Sequence, residues 1–206
     1  MQGSPELPGI IPRSVESVLK FAKSKEPAKS SKSKTSTPAC TISVSYLEIY
    51  NEKVYDLLGP KDQDLPIRED QTRNIFIPNL EEVQISTLDD FHKTYAAGCR
   101  NRTTASTKLN AKSSRSHAIL IVKVQYKESA PPHRTFIGKL HLIDLAGSED
   151  NRRTDNKGIR LTESSNINQS LFVLGKVVHA LNKGLVLFSV RKTLIIIIES
   201  NSVSRQ

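Results

Sequence analysis

Two short polar segments carry the groups best suited to chemistry. Segment 110–117, Asn-Ala-Lys-Ser-Ser-Arg-Ser-His, offers hydroxyls, a guanidinium and an imidazole directly before an apolar run. Segment 144–149, Asp-Leu-Ala-Gly-Ser-Glu, begins with a carboxylate at the end of another apolar run. Such a carboxylate can hold magnesium through water, and a glycine amide can approach a terminal phosphate. Either segment alone could be an ordinary solvated turn, but together they indicate a nucleotide-phosphate site.

Apolar patterns predict the strands that would position these segments. Residues 118–126 and 138–146 are predicted strands, and the second reads as covered on both faces within an α/β sheet. Residues 40–58 open with period-two alternation, and shorter peripheral, antiparallel strands follow within 65–85. Because Asp144 falls at the carboxyl end of a predicted central strand, it lies where α/β folds bind ligands.

Three helices are predicted from apolar residues three or four positions apart. The first begins after residue 13, and the second begins at Leu88, with Gly98 ending or bending it. The third begins near Asn166, carries a continuous apolar stripe and ends at Gly184. The predicted inner residues of the third helix are Ile167, Leu171, Leu174, Val178 and Leu181.

The charge and the cysteines limit the possible partners. A net charge of +9 over 206 residues favours an acidic partner, which could be nucleic acid, a membrane face or an acidic protein surface. Cys40 and Cys99 have neither disulfide-framework nor metal-ligand spacing, which favours a reduced compartment. The first residues lack a signal-peptide pattern, and the apolar stretch 185–198 is too short and too charged to span a bilayer. The sequence therefore predicts no membrane-spanning segment, and among the acidic partners we do not expect a membrane.

The two polar segments resemble switch I and switch II of the kinesin motor domain. Residues 8–13, 45–58, 101–110 and 166–184 also resemble kinesin segments. Residues 148–164 most resemble the chromokinesin group called Kid, which moves chromosomes on spindle microtubules. The resemblance implies an α/β fold, a partial P-loop-NTPase-like motor core with a central, mainly β sheet flanked by helices. It implies ATP and Mg²⁺ as cofactors.

The resemblance also implies roles around the phosphate. Ser113 would coordinate magnesium, and Asp144 would hold the same ion through water. Ser114 would position the attacking water or relay its proton, and Gly147 would donate its amide to the γ-phosphate. Together these groups would surround the terminal phosphate and sense whether it is present.

Further roles concern closure of the site and the partner. Arg115 and Glu149 would form a salt bridge that closes the two switches, and Asn110 would help to hold nucleotide and water. The basic loop 150–165 and the helix that follows would face the acidic microtubule surface. The implied microtubule contacts are Arg152, Arg153, Lys157, Arg160, Lys176 and Lys183.

The sequence departs from the family pattern in several places. It contains no Gly-x-x-x-x-Gly-Lys-Ser/Thr motif, and Met1 falls where kinesins have the methionine that follows this P-loop. We expect a partial motor domain over residues 1–184, with a mobile Lys/Ser-rich loop at 23–38 and a divergent, unpacked tail at 185–206. Because P-loop amides and lysine supply much of the nucleotide affinity, we expect weak or no ATP binding, no turnover and limited stability. Whether the chain is an enzyme is left open.

The sequence is compatible with three functions. The first is a segment of an ATP-driven microtubule motor, in the cytoplasm and cytoskeleton, with the nucleus and mitotic spindle as further sites. The second is a non-motor, microtubule-binding or regulatory fragment. The third, a nucleic-acid binder, rests on charge alone and lacks interleaved aromatic residues, so we do not expect it.

Overall fold

Within the residues that it describes, the computed structural model contains three helices and eight strands. The helices are α1 (Ile10–Lys25), α2 (Leu88–Thr104) and α3 (Ile159–Asn182). The strands are β1 (Cys40–Tyr50), β2 (Lys53–Asp56), β3 (Asp64–Leu65), β4 (Arg68–Glu69), β5 (Ile75–Phe76), β6 (Val83–Ile85), β7 (His117–Lys127) and β8 (Thr135–Asp144). The described residues are 1–4, 6–25, 40–60, 63–71, 75–104, 115–128, 133–148 and 159–183.

Strand β1 organises the main sheet. Its neighbours give the order β3-β2-β1-β7-β8, and β6 pairs with β1 along the same edge as β2. All the ladders in this sheet are antiparallel, and β4 and β5 form a separate small ribbon. This confirms the predicted sheet flanked by helices, with short peripheral strands between β2 and α2.

The two faces of the sheet carry different helices. Successive residues of a strand point to opposite faces, so Tyr46 and Leu47 belong to two separate apolar clusters. Helices α1 and α2 bury their apolar residues on the Tyr46 face, where Val15 and Phe91 are fully enclosed. Helix α3 approaches the Leu47 face through Leu174. The sheet is therefore positioned between α1 and α2 on one side and α3 on the other.

Strand β8 differs from its prediction in burial and position. It begins at Thr135 and ends at Asp144, and within the described ranges it pairs only with β7. Among the described residues it lies at the edge of the sheet and not at its centre, and its first six residues are exposed, with Ile137 at 55%. Leu142, at 7% exposure, is the one buried residue of this strand. The apolar run suggested cover on both faces, but cover depends on neighbouring elements that a local pattern does not specify.

Gly98 does not end α2, which continues to Thr104. A Cβ atom at position 98 would lie 2.4 Å from Cδ1 of Tyr46 and 3.3 Å from Cδ2 of Leu58. The glycine therefore allows the helix to lie close against β1. At the start of the helix, Thr87 Oγ1 accepts a hydrogen bond from Asp90 N, and Asp90 Oδ2 accepts one from Thr87 N.

Helix α3 is longer than predicted and only partly covered. It begins at Ile159, seven positions before Asn166, so Arg160 lies in its first turn and not in a loop. Ile167 is buried as expected, but Val178 is 49% exposed, so the apolar stripe is not covered along its length. Local periodicity located the helix but could not show which neighbours pack on it.

The predicted loop at 23–38 and the predicted tail at 185–206 lie mostly or wholly outside the described residues. Helix α1 continues to Lys25, so the first part of the predicted loop at 23–38 is helical, because its apolar face still packs through Ala22. Residues 26–38 and 184–206, including Gly184, lie outside the described residues. None of the helices in the described ranges is long and apolar enough to cross a membrane.

Candidate functional site

The described ends of the two polar segments, residues 115–117 and 144–148, lie at one corner of the sheet. Because β7 and β8 are antiparallel, the start of β7 lies beside the end of β8, and Ala118 pairs with Asp144. Segment 110–117 ends where β7 begins, and segment 144–149 begins where β8 ends. The strand pairing therefore brings the end of the first segment beside the start of the second, although the 26 residues 118–143 separate them in sequence.

A buried histidine joins the two segments directly. The backbone N–H of Ala146 donates a hydrogen bond of 3.0 Å to Nδ1 of His117. On the other side of the ring, Nε2 lies 2.9 Å from Oγ of Ser170 in α3. Burial, and then the nearby charge of Arg102, lower the pKa of His117 below its usual range. The ring is therefore neutral at pH 7.

A charged network lies on the other side of the same corner. The Arg102 guanidinium donates a hydrogen bond of 2.9 Å to Asp144 Oδ2 and another of 3.2 Å to the Ser116 carbonyl. Arg102 Nε is 3.8 Å from Oε1 of Glu48, which accepts 2.7 Å from the Ser116 hydroxyl. Although burial opposes it, the hydrogen bond to Asp144 keeps the pKa of Arg102 raised. Helix α2 is thereby tied to the ends of both strands.

The described part of the site contains only some of the predicted residues. Asp144 ends β8, Gly147 is exposed three residues later, and the half-buried Arg115 lies just before β7. Lys176 and Lys183 are exposed on α3 and at its end. Helix α3 also holds Arg160. The predictions that lie outside the described residues concern Asn110, Ser113, Ser114, Glu149, Arg152, Arg153 and Lys157.

Sequence reasoning missed Glu48 and Arg102 and gave His117 no role. One available signal was Glu48 itself, a carboxylate between Leu47 and Ile49 in an apolar strand. It is 1% exposed, and a buried carboxylate requires a partner. Arg102 gave no such signal, because an arginine near the end of a helix is ordinarily solvent-exposed.

The chemistry of Asp144 fits the predicted role beside magnesium. Carboxylate oxygens are preferred ligands of Mg²⁺, which keeps several of its waters. The Asp144 side chain is 52% exposed, and Arg102 contacts its Oδ2 from one side. A carboxylate that is held in place and still open to water is suited to contact the ion through a water molecule.

Sequence comparison identifies relatives over almost the whole chain. The kinesin motor domain family model matches residues 1–200. Kinesin-like protein KIF22 of Danio rerio is 56% identical over 184 residues, which is 89% of this chain and 28% of that protein. KIF22 of Mus musculus is 54% identical over 186 residues, or 90% of this chain and 27% of the relative. The chain thus spans just over a quarter of these relatives, and the predicted likeness to the chromokinesin group is confirmed.

Solved structures agree with the sequence comparison. The structure of a fast kinesin has a TM-score of 0.74 and 33% identity, and the match covers 96% of this chain and 54% of that one. A KIF14 dimer with AMP-PNP in complex with a microtubule has a TM-score of 0.75 and 31% identity, covering 98% and 57% respectively. Both likenesses extend over nearly all of this chain.

Proposed function

This chain belongs to the kinesin motor domain family, and we propose that it forms the phosphate-sensing part of a microtubule motor. The family is microtubule-based and uses ATP and Mg²⁺. The observation that carries the proposal is the hydrogen bond from Ala146 N to His117 Nδ1. It joins the last residue of the segment that resembles switch I to the third residue of the segment that resembles switch II.

Each switch residue has a role in the proposed site. Gly147 follows Ala146 directly, and its amide would donate to the γ-phosphate. Ser113 and Asp144 would hold magnesium, which when bound neutralises charge on the phosphate oxygens. Arg102 fixes the Asp144 carboxylate from the side of α2.

The remaining proposed roles position water and close the site. Ser114 would orient the attacking water, Asn110 would hold nucleotide and water, and Arg115 would pair with Glu149. Phosphoryl transfer depends mainly on such positioning and on charge stabilisation, so removal of one partner should impair the site without unfolding the sheet.

Helix α3 is the proposed route from the phosphate to the microtubule. Its Ser170 contacts His117 at the site, whereas Lys176 and Lys183 are exposed further along. Lys176 lies 4.5 Å above the ring of Phe172, which orients its ammonium on the exposed side. Exposed cations suit an acidic protein surface. The basic residues Arg152, Arg153, Lys157 and Arg160 are proposed to extend this contact.

The proposed place of action follows the same reasoning. Members of the family are associated with the cytoskeleton. The 56% sequence identity with KIF22 of Danio rerio favours a motor that works on the mitotic spindle and with chromosomes. ATP-dependent movement along microtubules is proposed for the motor to which this segment belongs. Nucleic acid and membranes are not proposed as partners of this chain.

A second function is supported by a feature of the sequence. The 206 residues contain no Gly-x-x-x-x-Gly-Lys-Ser/Thr motif, while the exposed lysines of α3 remain. The chain alone could therefore bind microtubules with weak or no ATP binding, as a non-motor or regulatory fragment.

Co-sedimentation with microtubules, with no nucleotide, with Mg·ATP or with Mg·AMP-PNP, separates these functions. Binding that changes with nucleotide in the wild-type chain, and no longer changes in Asp144→Asn, supports the phosphate sensor. Binding that is salt-sensitive and indifferent to nucleotide supports the second function. Binding to duplex DNA but not to microtubules overturns both. Glu16→Gln, on the exposed face of α1, is the matched carboxylate-to-amide control.

A further inference from the structure

His117 takes part in a chain of hydrogen bonds whose direction the geometry determines. A backbone N–H can only donate, so Nδ1 of His117 must accept from Ala146. In the neutral ring the proton is then on Nε2, which donates to Ser170 Oγ. The Ser170 hydroxyl in turn donates 2.8 Å to the carbonyl of Ile167. One ordered path therefore runs from the segment after β8 to the backbone of α3.

The path is shielded from water along its length. His117 and Ser170 are each 3% exposed, and Ala146 and Ile167 are buried as well. A buried amide or hydroxyl that loses its partner has no water to replace it, so each bond is costly to break. Movement at one end of the path must therefore be followed at the other end or leave a polar group unsatisfied.

The ring is held by the strand and cannot follow its partners freely. His117 lies in the β1–β7 ladder opposite Ile49, and the next residue, Ala118, pairs with both Glu48 and Asp144. The backbone of His117 is thus fixed on two sides, which leaves its side-chain torsions as the main freedom. The two partners, Ala146 and Ser170, belong to different segments and bond the same ring, so a rotation of the ring that follows one partner also changes its hydrogen bond to the other.

We propose that His117 is a positioning residue that makes the orientation of the Ala146 peptide depend on the position of Ser170 in α3. The inference rests on the proposed function, because Gly147, the proposed phosphate donor, follows Ala146. Only two backbone torsions separate the Ala146 and Gly147 amides, so fixing the first restricts the second. The imidazole therefore links the phosphate side of the site to the helix that carries Lys176 and Lys183.

A first test uses the intact wild-type chain. Nitrogen-15 NMR of the imidazoles should show His117 at pH 7.5 as the neutral tautomer with a bare Nδ1 and a protonated Nε2. A proton on Nδ1, or a doubly protonated ring, overturns the proposal, because the Ala146 amide could not then donate to the ring. This test requires no substitution and no bound nucleotide.

A second test measures hydrogen exchange at the Ala146 amide. Ser170→Ala removes the acceptor of His117 Nε2 without touching Ala146. We expect Ala146 exchange to rise about three- to tenfold relative to the Val44 amide of β1, which reports global opening. In a His117→Asn background, the asparagine oxygen can replace Nδ1 but the amide does not reach Ser170. There Ser170→Ala should change Ala146 exchange less than about twofold.

Ser165→Ala is the matched control, since Ser165 is an exposed serine on the same helix. The proposal is overturned if Ser170→Ala acts on Ala146 no more than Ser165→Ala does, or acts equally in both backgrounds. Neither test contains nucleotide or microtubules. Failure of ATP or microtubule binding would therefore count against the proposed function and leave this coupling intact. Failure of the NMR or exchange test would count against the coupling and leave the proposed function intact.

Discussion

The guanidinium of Arg102, two residues before the end of α2, donates a 2.9 Å hydrogen bond to Oδ2 of Asp144, the last residue of β8. These residues are 42 positions apart in sequence. The same guanidinium lies 3.8 Å from buried Glu48 in β1. One arginine thus connects the helix with the strand that ends at the proposed magnesium carboxylate and with the central strand of the sheet.

Glu48→Ala should strongly destabilise the fold. It removes the acceptor of the Ser116 hydroxyl and one of the two carboxylates beside Arg102, so a buried cation loses compensation. Breaking a buried ion pair from one side costs about 3–5 kcal/mol, and half-exposed Asp144 should retain part of the compensation. We therefore expect a loss of about 3 kcal/mol in the free energy of unfolding, measured by urea denaturation.

Glu16→Ala is the control for loss of a carboxylate. Its pair with Lys20 is exposed on α1, so its removal should leave the urea midpoint unchanged within error. Equal urea midpoints for the two variants would mean that Glu48 is not paired in solution as the structure shows.

Gly98→Ala should destabilise the chain, although alanine is the better helix former. The added Cβ would lie 2.4 Å from Tyr46 Cδ1, so helix or ring must move. Overpacking of this kind costs about 1–3 kcal/mol. Gly175→Ala in α3 is the matched comparison, because nothing lies within 4 Å of its added Cβ. It should stabilise the helix by up to about 1 kcal/mol. Thermal unfolding of the two variants should shift in opposite directions.

Stability should fall as the pH is lowered from 7.5 to 5.5, and His141 should contribute to the fall. Burial, and then the charge of Lys139, lower the pKa of His141 in the folded state. The unfolded chain therefore binds more protons below about pH 6.5, so acid favours unfolding. His141→Gln removes this titration and should reduce the loss of unfolding free energy across that interval.

His92→Gln is the control for the pH experiment, since His92 is exposed on α2. Urea titrations at the two pH values should give the same difference for this variant as for the wild-type chain. If His141→Gln also leaves the difference unchanged, burial of His141 does not disfavour its charged form.

Lys176→Ala with Lys183→Ala should weaken microtubule binding. Both ammonium groups are exposed at the carboxyl-terminal part of α3, and an exposed charge pair is worth about 0.2–1 kcal/mol. The dissociation constant at low salt should rise about two- to thirtyfold for the double variant, and its dependence on salt should become shallower. Co-sedimentation at several salt concentrations measures both quantities.

The comparison variant is Lys20→Ala with Lys93→Ala, which removes the same charge from α1 and α2. Those helices pack on the opposite face of the sheet from α3. Equal weakening by the two double variants would indicate that net charge, and not the face carried by α3, determines the binding.

Local patterns along the chain were enough to predict the main strands, the helices and the two segments that carry the chemistry. Alternation at Ile42, Val44 and Tyr46 predicted β1, and the apolar runs before Asp144 and after His117 predicted strands beside the polar segments. These signals are local, because the faces of a strand or helix repeat every two or 3.6 residues. The family resemblance could be recognised from the sequence because it also rests on local signals, the contiguous motifs.

Contacts between these residues, and their burial, depend instead on how the chain packs in three dimensions. Ser116 and Glu48 are 68 positions apart, and their hydrogen bond exists because β1 and β7 pair in one register. The exposure of β8 likewise depends on which elements lie beside it. The need for glycine at position 98 depends on how closely Tyr46 approaches the helix. Pairing and burial are long-range properties, since a residue's water is displaced by distant parts of the chain and not by its sequence neighbours.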